Sequence, residues 1–310
     1  MLSVSLPAWT HATHPIVHYE TRRWRRSRLQ RLIQRGPWAV ALIVLALSAL
    51  CAGAVTLQGQ LSARPASVIL AAGGTLALIA AAVSGLANWL VGLAASILAA
   101  TLIARERESR TWPFLRLTSL TSAEIVGGKF AAVWYTLRGV LHFVAGLRLL
   151  ALGVGLLTAV LWLLTERPAA GQVLAALSSL PLTPADLAWL SLLGGVGAAI
   201  GLAGWLLEPY FGLLYNGAVG LAASTLARSS GAAVVLMIAA HFGLSLGVYF
   251  PAQQIVSLSL LALVSNASNV GVLLPLSSFV IQFGLNTALQ LGAALGCALF
   301  TLYQVERLSE

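Results

Sequence analysis

From Ala66 to Ile103 the chain runs 38 residues without one charged side chain. As an α-helix that stretch is about 57 Å long, roughly twice the ~30 Å hydrocarbon core of a bilayer. The rest of the chain is built alike: 59% of its 310 residues are hydrophobic, 9% are charged, and the mean hydropathy is +0.89. A water-soluble globule must still cover itself with polar groups, which this composition cannot supply. The expected fold class is an all-α polytopic membrane protein with about six transmembrane helices.

A net charge of +9 and a pI near 10.6 would suggest nucleic acid in a soluble protein. Here seven arginines between Arg22 and Arg35 stand directly before the first apolar run. That placement is the orientation bias of cytoplasmic segments, so lipid and not nucleic acid is the expected partner of this charge. Cys51 and Cys297 lie far apart in apolar segments, without metal spacing or an expected disulfide. No cleavable signal peptide is expected, because the first apolar run is long enough to span.

Three regions follow. Residues 1–37 read as a cytoplasmic tail with an N-terminal amphipathic interfacial helix, residues 38–303 as the transmembrane domain, and residues 304–310 as a cytoplasmic C-terminus. The interfacial helix covers Ile16–Gln34, where Ile16, Val17, Trp24, Leu29, Leu32 and Ile33 alternate with arginines that suit a headgroup layer. His11, His14 and His18 belong to the tail and lack the companions of a metal site.

Span one is Trp38–Leu57. Two crossings within residues 66–103 would put Arg105–Arg110 outside, so one crossing is expected, broken or extended near Gly85–Trp89. The helix starting at Ser122 should lie along the inner surface, with Arg138, His142 and Arg148 snorkelling, before a third span at Leu149–Leu164. A fourth apolar region, Leu187–Ala227, is interrupted at Glu208-Pro209, and its number of crossings stays open. Within it Gly194, Gly197, Gly201 and Gly204 permit close helix contact, and Asn216, Gly220 and Ser224 form a second stripe at four-residue spacing. Span five is Gly231–Phe250, ended by Pro251. Residues 252–277 are too polar to face lipid, and the last span is Ser278–Tyr303, where Gly292 and Gly296 offer a packing notch.

The loop at 104–129, ARERESRTWPFLRLTSLTSAEIVGGK, holds eight charged residues: Arg105, Glu106, Arg107, Glu108, Arg110, Arg116, Glu124 and Lys129. Thr121 and Glu124 have capping-box spacing, with Leu120 and Ile125 at the staple positions. Thr111 can cap a short helix that carries Pro113 in its first turn. Gly127-Gly128-Lys129 is no phosphate loop, since Ala123 and Phe130 stand where Gly and Ser or Thr are needed. Lys129 is expected to face headgroups or a partner.

RERESRTW…LRLTSLTSAEIVGGK resembles the cytoplasmic loop of ATP-binding-cassette type-2 transporter permeases, with its R-E-R-E, G-T-x-x-L-L, T-P-L-S, E-I-V and G-K pattern. Arg110 stands where that family has Gly, Pro113 where it has an acidic residue, and Ser119 where it has Pro. HPIVHYETRRWRRSR resembles the N-terminal helix of the same permeases, with His14 for Asn. GLAASTLARSSGAA, residues 220–233, resembles their cytoplasmic turn between spans four and five. The resemblance implies a coupling helix near Thr111–Leu117 that docks into a separate ATPase subunit, with Mg-ATP bound there and no cofactor in this chain. It further implies a second permease chain, as a homo- or heterodimer, an exporter, and residence in a bacterial plasma (inner) membrane with both termini cytoplasmic.

The expected ATPase-coupling residues are Arg105, Glu106, Arg107, Glu108, Thr111, Trp112, Phe114, Leu115, Thr118, Thr121, Glu124 and Lys129. Pairs between Arg105 and Glu108 and between Arg107 and Glu106 would fix the loop, and Trp112, Phe114 and Leu115 would form the docking surface. Ionisable groups inside apolar runs are costly, which makes Glu208, Asn216 and His241 candidates for a pathway or gate. Two rival readings use the same residues differently. One is an intramembrane enzyme on Glu208 and His241, active without an ATPase; the other is a membrane anchor or assembly protein without a transport cycle.

Overall fold

The computed structural model describes Pro7 and residues 11–25, 65–165, 184–252, 254, 255, 258 and 274–307. Span one (Trp38–Leu57), Cys51, the second half of the interfacial helix and most of 252–277 lie outside them. Apolar residues run all round most of the helices, so every face must meet either another helix or lipid. The elements are α1 (Pro15–Arg25), α2 (Pro65–Glu108), α3 (Trp112–Arg116), α4 (Ser122–Thr165), α5 (Pro184–Leu226), α6 (Ser230–Leu244) and α7 (Leu274–Arg307). A π-helical turn, Ser245–Tyr249, follows α6. The described residues form no strand.

Four helical stretches among the described residues are long and apolar enough to cross a membrane: Ala72–Glu108, Ser122–Leu161, Ser230–Ala252 and Thr287–Arg307. α2 is the centre of the packing, flanked most extensively by α4 and α5, with α5 in turn against α7. Two expected interruptions are not there. Of the two forms expected near Gly85–Trp89, broken or extended, α2 takes the continuous one, and α5 is continuous through Glu208-Pro209. α4 is a single 44-residue helix and not a surface segment followed by a span. Its first half is covered by protein: Ala132, Val133, Leu137, Leu141 and Val144 are fully buried, while Arg138, Gly139 and His142 stay exposed on the opposite side. Helical structure also continues past Pro251, which stands two residues after the end of the π turn, where the wider backbone already departs from the i→i−4 ladder.

The stripe Asn216, Gly220, Ser224 is the seam between α5 and α2. A Cβ on Gly220 would lie 2.5 Å from the Ser96 carbonyl oxygen, so only glycine permits this approach. One turn on, the Ser224 hydroxyl accepts from the backbone N–H groups of Ile103 and Ala104, both at 2.8 Å. A Cβ added at Gly292 or Gly296 on α7 would meet nothing within 4 Å among the described residues.

One end of the bundle gathers α1, α3, the end of α2, the start of α4, the α5–α6 turn and the end of α7. A single apolar cluster joins Ile16 and Trp24 of α1, Ile103 of α2, Trp112, Ile125 of α4, Leu221 of α5 and Val305 of α7.

Candidate functional site

The loop end is built by four charged residues, each answering a different local need. α2 finishes in a Schellman turn: the Thr111 N–H donates to the Glu106 carbonyl at 2.9 Å and the Arg110 N–H to the Arg107 carbonyl at 3.1 Å. Arg110 takes the left-handed position at φ 57°. Arg107 does not pair with Glu106; its guanidinium donates to the carbonyls of Thr225 (2.8 Å) and Ala227 (3.0 Å), the orphan acceptors at the end of α5. Glu108 accepts from the Ser230 N–H (3.1 Å) and hydroxyl (2.7 Å) at the start of α6, and those bonds hold its pKa below the ordinary value. Ser229 caps the same helix by accepting from the Ala232 N–H. Adjacent residues thus clamp both sides of one turn.

Glu106 points the other way, into a buried ionic cluster. Lys129 Nζ is 2.8 Å from Glu20 Oε1 and 3.8 Å from Glu106 Oε1, and Arg23 Nη1 is 3.5 Å from Glu106 Oε1. Two cations and two anions balance. Lys129 is 0% exposed and also donates to the Leu102 carbonyl, so it faces α1 and not headgroups or a partner protein. The reason is Gly128, just before it. A Cβ on Gly128 would sit 3.2 Å from Ile16 and 3.3 Å from His14, so α1 can lie directly on α4 and bring Glu20 to Lys129. Ile16, Val17 and Trp24 are buried on the protein, and Arg22 remains outside.

Thr111 makes no cap to α3; its hydroxyl donates instead to the Glu106 carboxylate and carbonyl. The acid that the sequence offers five residues earlier simply binds it first. The capping box at α4 is formed: the Thr121 N–H donates to Glu124 Oε2 at 2.8 Å, and the Glu124 N–H to the Thr121 hydroxyl at 3.2 Å. Leu120 and Ile125 meet the same apolar cluster. Thr118 closes α3 by donating to the Leu115 carbonyl. Trp112 is buried and Leu115 half-buried in that cluster, so neither forms an outer docking face. Phe114, 70% exposed, and Leu117, 83% exposed, do project. Arg105 lies exposed near Glu108 and acts on it through charge, helping to lower its pKa, and not through an ion pair in contact. Leu117 could have been found from sequence, since a short helix buries one side and leaves the residue three positions after Phe114 beside it.

Farther along the bundle, Arg148 is not snorkelling. It is buried, with Nη2 2.9 Å from Glu208 Oε2 and its guanidinium 5.0 Å from the Trp205 ring. Pro209 has no N–H to offer the carbonyl four residues earlier, Trp205, and Arg148 donates to that carbonyl instead. This explains how α5 passes a proline without a break. Asn88 of α2 donates to the other Glu208 oxygen at 3.4 Å.

Glu208, Asn216 and His241 line one half-open cleft of about 620 Å³ between α2, α5, α6 and α7. His241 Nε2 lies 2.6 Å from Asn216 Oδ1, tying α6 to α5, and Ser96 of α2 donates to the same oxygen at 3.2 Å. Asn88, Ser96, Ser245 and Gln290 complete the polar lining, none of which the sequence singled out. Their signal was faint: isolated amides and hydroxyls in apolar helices, on elements whose neighbours are unknown before folding.

No protein-family model, curated protein or solved structure matches this chain.

Proposed function

We propose that this chain is the membrane-spanning permease subunit of an ATP-driven transporter of the ATP-binding-cassette type-2 kind, an exporter coupled through loop 104–129 to a separate ATPase. One observation carries the reading. The three separated stretches that resemble such permeases meet at one end of the bundle, held by Glu106–Lys129–Glu20, by Arg107 on the end of α5 and by Glu108 on the start of α6. They enclose α3, whose Phe114 and Leu117 project.

In this reading the end carrying Arg22, Arg105, Arg110, Arg228 and Arg307 is cytoplasmic, with both termini there. Six spans follow if Trp38–Leu57 and α5 each cross once. Mg-ATP binds in the partner, and closure of the ATPases pushes α3. Because the loop is bonded to α1, α2, α4 and the α5–α6 turn, that push moves their ends as one body. A second permease chain faces this one, and the Glu208–Asn216–His241 cleft lies on the substrate's way through an inner membrane.

The test is co-expression with an ATPase of the ATP-binding-cassette type, sought first in the genes that neighbour this one. Phe114→Glu, on an exposed position, should lower ATPase recovery at least tenfold while membrane insertion and yield stay unchanged. Full recovery with Phe114→Glu and with Leu117→Glu would overturn the docking role of α3.

A further inference from the structure

We infer that the cleft between α2, α5, α6 and α7 binds an amphiphile with an uncharged, hydrogen-bonding head. The inference goes beyond the transporter reading and stands without an ATPase.

The charge balance of the lining selects the head. Among the described residues the cleft is lined by no Lys or Arg, and both nitrogens of its one imidazole, His241, are already engaged by the Met237 carbonyl and Asn216 Oδ1, so a phosphate or carboxylate would meet no free cation. The one carboxylate among its described lining residues, Glu208, already has its countercharge: Arg148 lies 2.9 Å behind it, with a side chain 2% exposed. An ammonium head placed against Glu208 would therefore leave a net positive charge among apolar helices, which is costly. What remains is neutral donors and acceptors. Asn88, Ser96, Asn216, Ser245 and Gln290 offer amides and hydroxyls on four faces of one space, suited to hydroxyl or amide groups of a ligand.

The rest of the lining selects the body. Trp89, Phe242 and Leu246 border the same cleft and are 63%, 65% and 68% exposed, so an apolar chain can lie along them while the head reaches inward. An indole face beside neutral hydrogen-bonding groups also suits the flat apolar side of a sugar ring.

The chain, purified alone in phosphatidylcholine nanodiscs, can be photolabelled with a dodecyl glucoside bearing a diazirine in its alkyl chain. Adducts should saturate and map to peptides containing residues 85–96 and 237–246. Excess dodecyl maltoside should compete at least tenfold better than dodecyltrimethylammonium or dodecyl phosphate. Gln290→Leu and Trp89→Ala, both at accessible positions, should each cut saturable labelling at least fivefold without changing yield. Preferential competition by the ammonium amphiphile would overturn the inference in favour of a carboxylate site. Equal competition by all three, absent labelling, or adducts spread evenly over the apolar helices would overturn it outright. Saturable labelling of the cleft with no ATPase recovered in co-expression would sink the transporter reading and leave this one standing.

Discussion

Arg110 carries a backbone conformation that its own side chain opposes. At φ 57° an L-residue with a Cβ costs roughly 1–2 kcal/mol, where glycine sits freely. Arg110→Gly should therefore raise unfolding stability by about 1 kcal/mol in detergent, measured by denaturant or thermal unfolding; no gain would mean the turn is not built this way. Glu108 and Glu124 present a second residue-level case. Hydrogen bonds from Ser230 and Thr121 hold both pKa values below the ordinary 4.5. A carboxylate depressed in the folded state stabilises above its unfolded pKa, and that contribution is lost as pH falls through the folded value. Exchange protection of the Ser230 and Thr121 amides should persist from pH 7 down past 4.5 and fade only below it. Glu124→Ala should remove protection at Thr121 throughout while sparing Ser230. Fading that begins well above pH 4.5 would contradict the assigned bonds.

Helix α5 shows how an element can keep a residue that ought to break it. Glu208-Pro209 reads in the sequence as an interruption, because proline removes one backbone bond and glutamate is costly in an apolar run. Arg148, 60 positions earlier in the chain, cancels both defects, pairing with the carboxylate and donating to the freed Trp205 carbonyl. Arg148→Met should then cost about 3–5 kcal/mol, since it strands a buried charge. Adding Glu208→Gln should recover a good part of that loss. Thermal unfolding of the single and double variants measures it, and a double variant as unstable as the two singles combined would show that the two residues do not act as a unit. The same helix also shows what was legible. Its Asn216, Gly220, Ser224 stripe stood out at four-residue spacing and is indeed a helix seam. Spacing alone did not say that α2 was the partner, nor that Asn216 would meet His241.

At the scale of the whole molecule, most charged side chains of the described residues lie at one end, with the Arg148–Glu208 pair apart from them. α1, the α2–α3–α4 connection, α5 and the end of α7 share one apolar cluster there, beside the balanced set Glu20, Arg23, Glu106 and Lys129, and the α5–α6 turn packs on α2 through a second. If that end is cytoplasmic, a cysteine introduced by Ser119→Cys should resist membrane-impermeant maleimide in intact cells and react once the membrane is opened. Labelling in intact cells would end the proposed orientation and the coupling role with it. The capping box at Thr121 and the charged loop around it were readable because each depends on neighbours within a few residues. The buried side of the loop was not: Trp112 and Lys129 look like surface groups until α1 is laid across Gly128.

By itself, then, the sequence determined what depends on local order. It specified apolar helices that need lipid, a capped and charged connection between two of them, and costly polar residues within their runs. Tertiary structure decided which of those residues meet. Ion pairs and hydrogen bonds in an apolar interior form between groups brought together from positions such as 20 and 129, or 148 and 208, and no spacing along the chain encodes those distances. Helix packing sets them, because an unpaired charge there is too costly to leave alone.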